Sequence, residues 1–236
     1  MRGGIARWKR GVGGQGLRTA TAYAFEGVCD SQRAKDVAEG ITKASHYADT
    51  HVTRFTVSSE YGVTVDQLDR DQLRNWIDGR DPATGEARGR VLQRANNDLL
   101  FDATVNTPKS LSIAAMLDDD LQAGLDRLHD RIRDRAIRLW QQEMNARRGK
   151  DGKEYMPLGQ IEVVELKHDR SRALDPHAHR HMWLNAKVLG NDGRWTSVDS
   201  RVLLRFQSII NAEGDIATTS DPEWLALLAA KGLTVD

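Results

Sequence analysis

The chain has 236 residues, 39% apolar and 29% charged, with a formal net charge of +0 and a mean hydropathy of −0.57, which suits a soluble unit near the upper size for one core. No apolar run approaches the ~18 residues that a membrane span needs. Arg2, Arg7, Lys9 and Arg10 stand where a signal peptide would be apolar, and the single cysteine, Cys29, excludes an internal disulfide or a cysteine-based zinc site and suits a reducing cytoplasm.

A zero sum of charge leaves nucleic acid open as a partner, because distribution matters more than total. Arg2, Arg7, Lys9, Arg10 and Arg18 face no acid in the first twenty residues, and "NARRGKDGKEY" carries four bases against Asp151 and Glu154. Such segments can neutralise phosphates or simply form solvated surface.

In chain order, "GGIARWKRGVGGQG" reads as a short strand ending in a glycine-rich turn whose spacing fits neither a P-loop nor a dinucleotide fingerprint. "LRTATAYAFEG" is helical, and a second helix follows from an Asp30 or Ser31 cap. "TVDQLDRDQLRNWIDG" places Leu68, Leu73, Trp76 and Ile77 on one helical face and stops at Gly79, and "DPATGE" is a turn. "LLFDATVNT" alternates as a strand, with Phe101, Ala103 and Val105 on one side and Asp102 and Thr104 on the other.

Pro108 ends that strand and opens the longest helix, whose Leu121, Leu125, Leu128, Ile132, Leu139 and Trp140 form a core stripe. "LGQIEVVELKHD" and "HAHRHMWLNAKVLG" are strands, and "GNDGRW" is a hairpin turn. "SVDSRVLLRFQSIINAEGDIA" turns helical toward its end, and a last short helix runs from an Asp221 cap to Gly232. Repeats, low-complexity tracts and linkers are absent from the sequence, so one mixed α/β domain is expected.

Four of the seven histidines fall between 168 and 181. Side chains at i, i+2 and i+4 of a strand share a face, so His177, His179 and His181 project together. An antiparallel partner strand can bring His168 beside them. Converging imidazoles point to a divalent metal, whose identity (Mg²⁺, Mn²⁺ or Zn²⁺ among others) nitrogen ligands do not fix. Asp102, flanked by apolar residues on its strand, is a candidate to accept the second N–H of a ligand histidine.

"DATVNTPKSLS", "HDRSRALDPHAHRH" and "NDGRW" follow the order and spacing of the MobF, or TrwC/TraI-type, conjugative relaxases, which are HUH endonucleases. The chain resembles that family from about residue 17 onward, most clearly between about 66 and 200, with an actinobacterial TraA-like flavour. The resemblance implies an α+β fold with a central antiparallel sheet flanked by helices and a metal site on the central strands. It places the metal ligands on His168, His179 and His181, leaves His177 as a neighbour where many members carry glutamine, and makes Asp102 the aspartate that orients a ligand.

Tyr23, in "RTATAYAFEG", matches the family's nucleophile motif, and Tyr47, in "ASHYADT", stands second; the usual tyrosine doublet is missing. Lys109 and Arg180 are candidate phosphate contacts, although Arg180 should face away from the ligands. Trp183 shares the ligands' face, where it packs in the core or stacks on a base.

The activity implied is metal-assisted nicking of single-stranded plasmid DNA at an origin of transfer through a 5′-phosphotyrosine, with later rejoining. Relaxosome accessory proteins and a coupling protein would be partners, in the bacterial cytoplasm, with passage to the recipient attached to DNA. An HUH replication initiator, a hydrolase of small substrates and a non-catalytic metal-binding module are the alternatives. No G-x-x-x-x-G-K-[ST] motif occurs, so the expectation is a 1–236 relaxase unit at the N-terminal side of a longer relaxase–helicase.

Overall fold

The computed structural model describes residues 3–26, 51–171 and 175–235. The helix expected from Asp30 and the candidate Tyr47 fall outside the described residues.

The alternation in "LLFDATVN" is realised as strand β4 (Asp98–Asn106), which occupies an inner position in an antiparallel sheet. Strand β1 (Ile5–Lys9) pairs on one side of it and β7 (Pro176–Asn185) on the other. Beyond β7 come β6 (Glu154–Arg170), β2 (Val52–Ser58) and β3 (Gly62–Leu68), giving the order β1-β4-β7-β6-β2-β3. The short β5 (Asn145–Arg148), β8 (Lys187–Gly190) and β9 (Trp195–Ser197) extend the sheet where β6 begins.

Helices cover both faces, each strand sending alternate side chains to each layer. On one face α3 (Lys109–Leu117), α4 (Asp119–Glu143), α6 (Gln207–Ser220) and α7 (Pro222–Ala230) bury Leu125, Leu128, Ile132, Trp140 and Trp224 against Phe101, Val163, Met182 and Leu184. A short α5 (Ser200–Arg205) leads into α6. On the other face α1 (Gln15–Glu26) and α2 (Arg70–Ile77) pack Leu17, Ala20, Leu73, Trp76 and Ile77 onto Leu100, Val164, Leu166 and Trp183. Each fully buried leucine or isoleucine contributes roughly 1.5–3 kcal/mol of transfer free energy.

Of the boundaries that differ from the sequence reading, three have a clear local reason. Leu68 closes β3 rather than opening a helix, because Asp69 and Gln72 form a capping box that fixes the start of α2. The longest helix is two helices: Asp118 is extended (φ −147°) and its side chain accepts from the Leu121 N–H, so α4 starts afresh there. The last histidine-bearing strand breaks after Asn185, whose side chain donates to the Trp76 carbonyl and accepts from the Lys187 N–H. These bonds turn the chain from β7 into β8.

Candidate active site

The β6–β7 register sets His168 opposite His179, and His181 stands two residues on from His179 along β7. One nitrogen of each of these three rings lies within 4.8 Å of the others. Ring centroids are 5.0 Å apart for His168–His179, 4.9 Å for His168–His181 and 5.1 Å for His179–His181. The face is the one covered by α1, so the cluster sits under a helix rather than in open solvent.

Hydrogen bonds fix which nitrogen each β7 histidine turns inward. His181 Nδ1–H donates to Asp102 Oδ1 at 2.8 Å, which leaves Nε2 as the lone pair. His179 Nδ1–H donates to the His177 main-chain carbonyl at 2.7 Å, again freeing Nε2. His177 is outside the cluster; its ring lies 4.8 Å from that of His179. Burial, above all, pushes His168 down to about 2. Burial also pushes His179 to about 4, opposed in part by its bond to the His177 carbonyl. Both are therefore neutral at physiological pH, the form that ligates.

The donor set fits a divalent cation. Three ligands about 2.1 Å from a common ion lie about 3.4 Å apart in tetrahedral geometry, and three ring nitrogens within 4.8 Å of one another are near enough to close on one ion. The carboxylate and carbonyl behind His181 and His179 are the outer partners such ligands usually have.

Tyr23 completes the cluster. Its hydroxyl lies 3.1 Å from His181 Nε2, and its ring packs at 5.5 Å from His181 and 5.8 Å from His168. Two tryptophans hold it: Trp183 at 6.0 Å with planes 25° apart, and Trp8 at 5.6 Å. Trp183 is fully buried and does not present a free face to a base. Trp8 went unnoticed in the sequence, yet its Nε1–H reaches Asp102 Oδ2 at 3.3 Å, so one indole supports both the tyrosine ring and the orienting carboxylate. Nothing in "IARWKR" signals this, because the β1–β4 register that brings Trp8 there is tertiary.

Gly16 explains how α1 comes so close: a Cβ there would stand 1.8 Å from the Lys9 carbonyl oxygen. Leu17, Ala20 and Ala24 then face the sheet and Tyr23 overhangs β7. Tyr61 and Tyr155 are exposed and sit near Gln160 and Glu154, toward the start of β6. Eight residues of strand separate Gln160 from His168, roughly 26 Å. Among the described tyrosines, only Tyr23 reaches the cluster.

The two candidate phosphate contacts part company. Lys109, at the first turn of α3, is exposed, and its Nζ meets Asp175 Oδ2 at 3.2 Å in a solvent-facing pair of little energetic weight. It is near enough to His177 for its charge to reinforce burial in lowering that imidazole. Arg180 is corrected: it is 3% exposed and turned to the opposite face, where it pairs with Asp126 and approaches Glu165 at 3.9 Å. Strand alternation sends position 180 into the α4 layer, out of reach of DNA at the histidines.

Known proteins frame this geometry. TraI, the multifunctional conjugation protein of Escherichia coli, is 30% identical over 135 residues, 56% of this chain and 8% of TraI; the matched stretch is thus a small part of that relative's length. A metal-bound structure of the conjugative relaxase TrwC in complex with oriT DNA superposes with a TM-score of 0.67 at 18% identity, over 95% of this chain and 70% of TrwC. TrwC with a 27-mer carrying the recognition hairpin and cleavage site gives 0.61 at 20% identity, over 82% and 66%. These likenesses show a shared fold, the mixed α/β architecture with a central antiparallel sheet. The TrwC relaxase family model matches residues 27–217, a stretch that holds Asp102 and the three histidines and begins just after Tyr23. With most of its length so matched, the chain belongs to the TrwC relaxase family.

Proposed function

We propose that this chain is the strand-nicking and strand-transfer unit of a conjugative relaxase, acting on single-stranded DNA at a plasmid origin of transfer. The observation that carries the reading is a tyrosine hydroxyl 3.1 Å from a nitrogen of a three-histidine cluster. Tyr23 is the nucleophile, His168, His179 and His181 are the metal ligands, and Asp102 is a positioning residue that holds His181 by Nδ1.

A divalent cation, when bound, draws charge from the non-bridging oxygens of the scissile phosphate and eases loss of the phenol proton. Tyr23 Oη forms the new bond to phosphorus, and the 3′-oxygen leaves with its electron pair and takes up a proton. The product is a 5′-phosphotyrosine and a 3′-hydroxyl, and attack by that hydroxyl reverses the step. Trp8 and Trp183 keep the phenol ring over the cluster and shield it from water. Lys109, at the rim, is a phosphate contact that exchanges Asp175 for DNA.

Membership of the family and the E. coli TraI match support the wider setting. In it, residues 1–236 form a relaxase domain of a longer relaxase–helicase, working in the bacterial cytoplasm with relaxosome and coupling proteins. None of the described helices is long and apolar enough to cross a membrane.

The test is a labelled single-stranded oligonucleotide library incubated with the protein and Mn²⁺ or Mg²⁺. A covalent adduct that EDTA prevents, mapped by peptide sequencing to Tyr23, is expected. An adduct on Tyr47 would move the nucleophile, and no adduct at all would leave only a metal-binding module.

A further inference from the structure

The Nδ1 partners of His181 and His179 fix the roles of their Nε2 atoms, and these create a conflict. His181 gives its Nδ1 proton to Asp102 Oδ1, so Nε2 can only accept. Tyr23 Oη, 3.1 Å away, must therefore be the donor. His179 likewise gives Nδ1–H to the His177 carbonyl, so its Nε2 accepts from His168 Nδ1–H at 3.3 Å. The two lone pairs that β7 offers to a cation are both occupied from within the protein. Tyr23 is held there by Trp8, Trp183 and the close approach of α1 at Gly16, not by chance contact.

We infer that the Tyr23 hydroxyl competes with the cation for His181 Nε2, so that loading the metal and releasing the nucleophile are a single event. The inference rests on the metal-site reading given above and adds an order to it. Without a cation the phenol hydroxyl stays bonded to His181 Nε2. For His181 to ligate through Nε2, the hydroxyl must give up that bond; no proton leaves the phenol, which only loses its acceptor. Binding free energy is shared between two opposed contacts, and by linkage whatever weakens one strengthens the other.

A side-chain hydrogen bond of this kind is worth about 0.5–1.5 kcal/mol net. Removing it should therefore tighten metal binding about two- to tenfold. The experiment is calorimetric titration of Zn²⁺ into metal-stripped wild type, Tyr23→Phe and His179→Ala at one pH and ionic strength. Tyr23→Phe keeps the ring and its packing, and is expected to bind Zn²⁺ severalfold more tightly than wild type. Equal affinity would overturn the competition, and weaker affinity would make the hydroxyl a ligand instead of a competitor.

His179→Ala separates the two readings. If it binds Zn²⁺ as wild type does, the cluster is not the metal site and both fall; if it loses binding while Tyr23→Phe is unchanged, only the competition falls. A second measurement needs no variant. In the metal-free wild type, the Tyr23 hydroxyl proton should be slow to exchange and show a cross-peak to the His181 ring by NMR. One equivalent of diamagnetic Zn²⁺ should abolish that cross-peak, and its persistence would refute the inference.

Discussion

Arg180 shows how one position can be misread while its neighbours are read well. It alternates with His179 and His181, and that same alternation buries its guanidinium against Asp126 and Glu165. Arg180→Ala would strand the buried Glu165 carboxylate, which Arg133 alone would then face at 3.1 Å. A loss of about 3 kcal/mol in urea unfolding is expected, with unchanged oligonucleotide affinity in the folded fraction. A weakened affinity at full stability would put Arg180 back at the DNA. His129 has a comparable hidden role: it is buried in α4, bonded to the Thr107 hydroxyl at 2.7 Å, and burial pushes it to about 3. Its folded value lies below its unfolded one near ~6.5, so the unfolded chain gains the proton first as pH falls. Stability of the metal-free protein is thus intact above about pH 7 and is lost through the interval below it. His129→Gln should flatten that decline by about 1.4 kcal/mol per pH unit between about pH 6 and 4; an unchanged slope would show that His129 does not titrate on unfolding.

At the scale of elements, α1 matters more than its short length suggests. The alanines of "RTATAYAFEG" announce a helix, but a helix placed a few ångströms higher would carry Tyr23 clear of the histidines. Gly16 decides the height. Gly16→Ala should push α1 off β1, costing roughly 1–3 kcal/mol through overpacking and slowing adduct formation well beyond that stability loss. Asp69→Ala, which removes the capping box of α2, makes the comparison: about 1 kcal/mol in stability with adduct formation per folded molecule unaffected. Should both variants lower activity only in proportion to folded protein, α1 placement would not govern the chemistry. Caps also account for the element boundaries that periodicity misplaces. Asp69 and Asp118 each end one segment and start another within a run whose apolar spacing continues across them.

At the scale of the molecule, the described residues form two helical layers about a sheet, and the candidate site lies where the layer of α1 and α2 meets β6 and β7. The opposite core, with Trp140 and Trp224 under α4 and α7, makes rigid strands of the histidine supports. The layer of α1 and α2 is the part that holds the phenol. A packed scaffold on one side and a positioned phenol on the other suit the proposed reaction, in which a phosphate would have to meet both.

Periodicity and residue chemistry alone determined a good deal here. The period-two pattern of "LLFDATVN" and "HAHRHMW" dictates strands and puts His179 with His181, since alternation is a property of the extended backbone itself. The apolar spacing of 121–140 likewise dictates a helix with one buried face. Tertiary structure decided what local pattern does not encode: that His168 pairs across from His179, that Trp8 reaches Asp102 from a strand 94 residues away, and that Tyr23 meets His181 across 158 residues. Strand register and helix height are fixed by packing between segments distant in the chain, so they come into being only when the whole core closes.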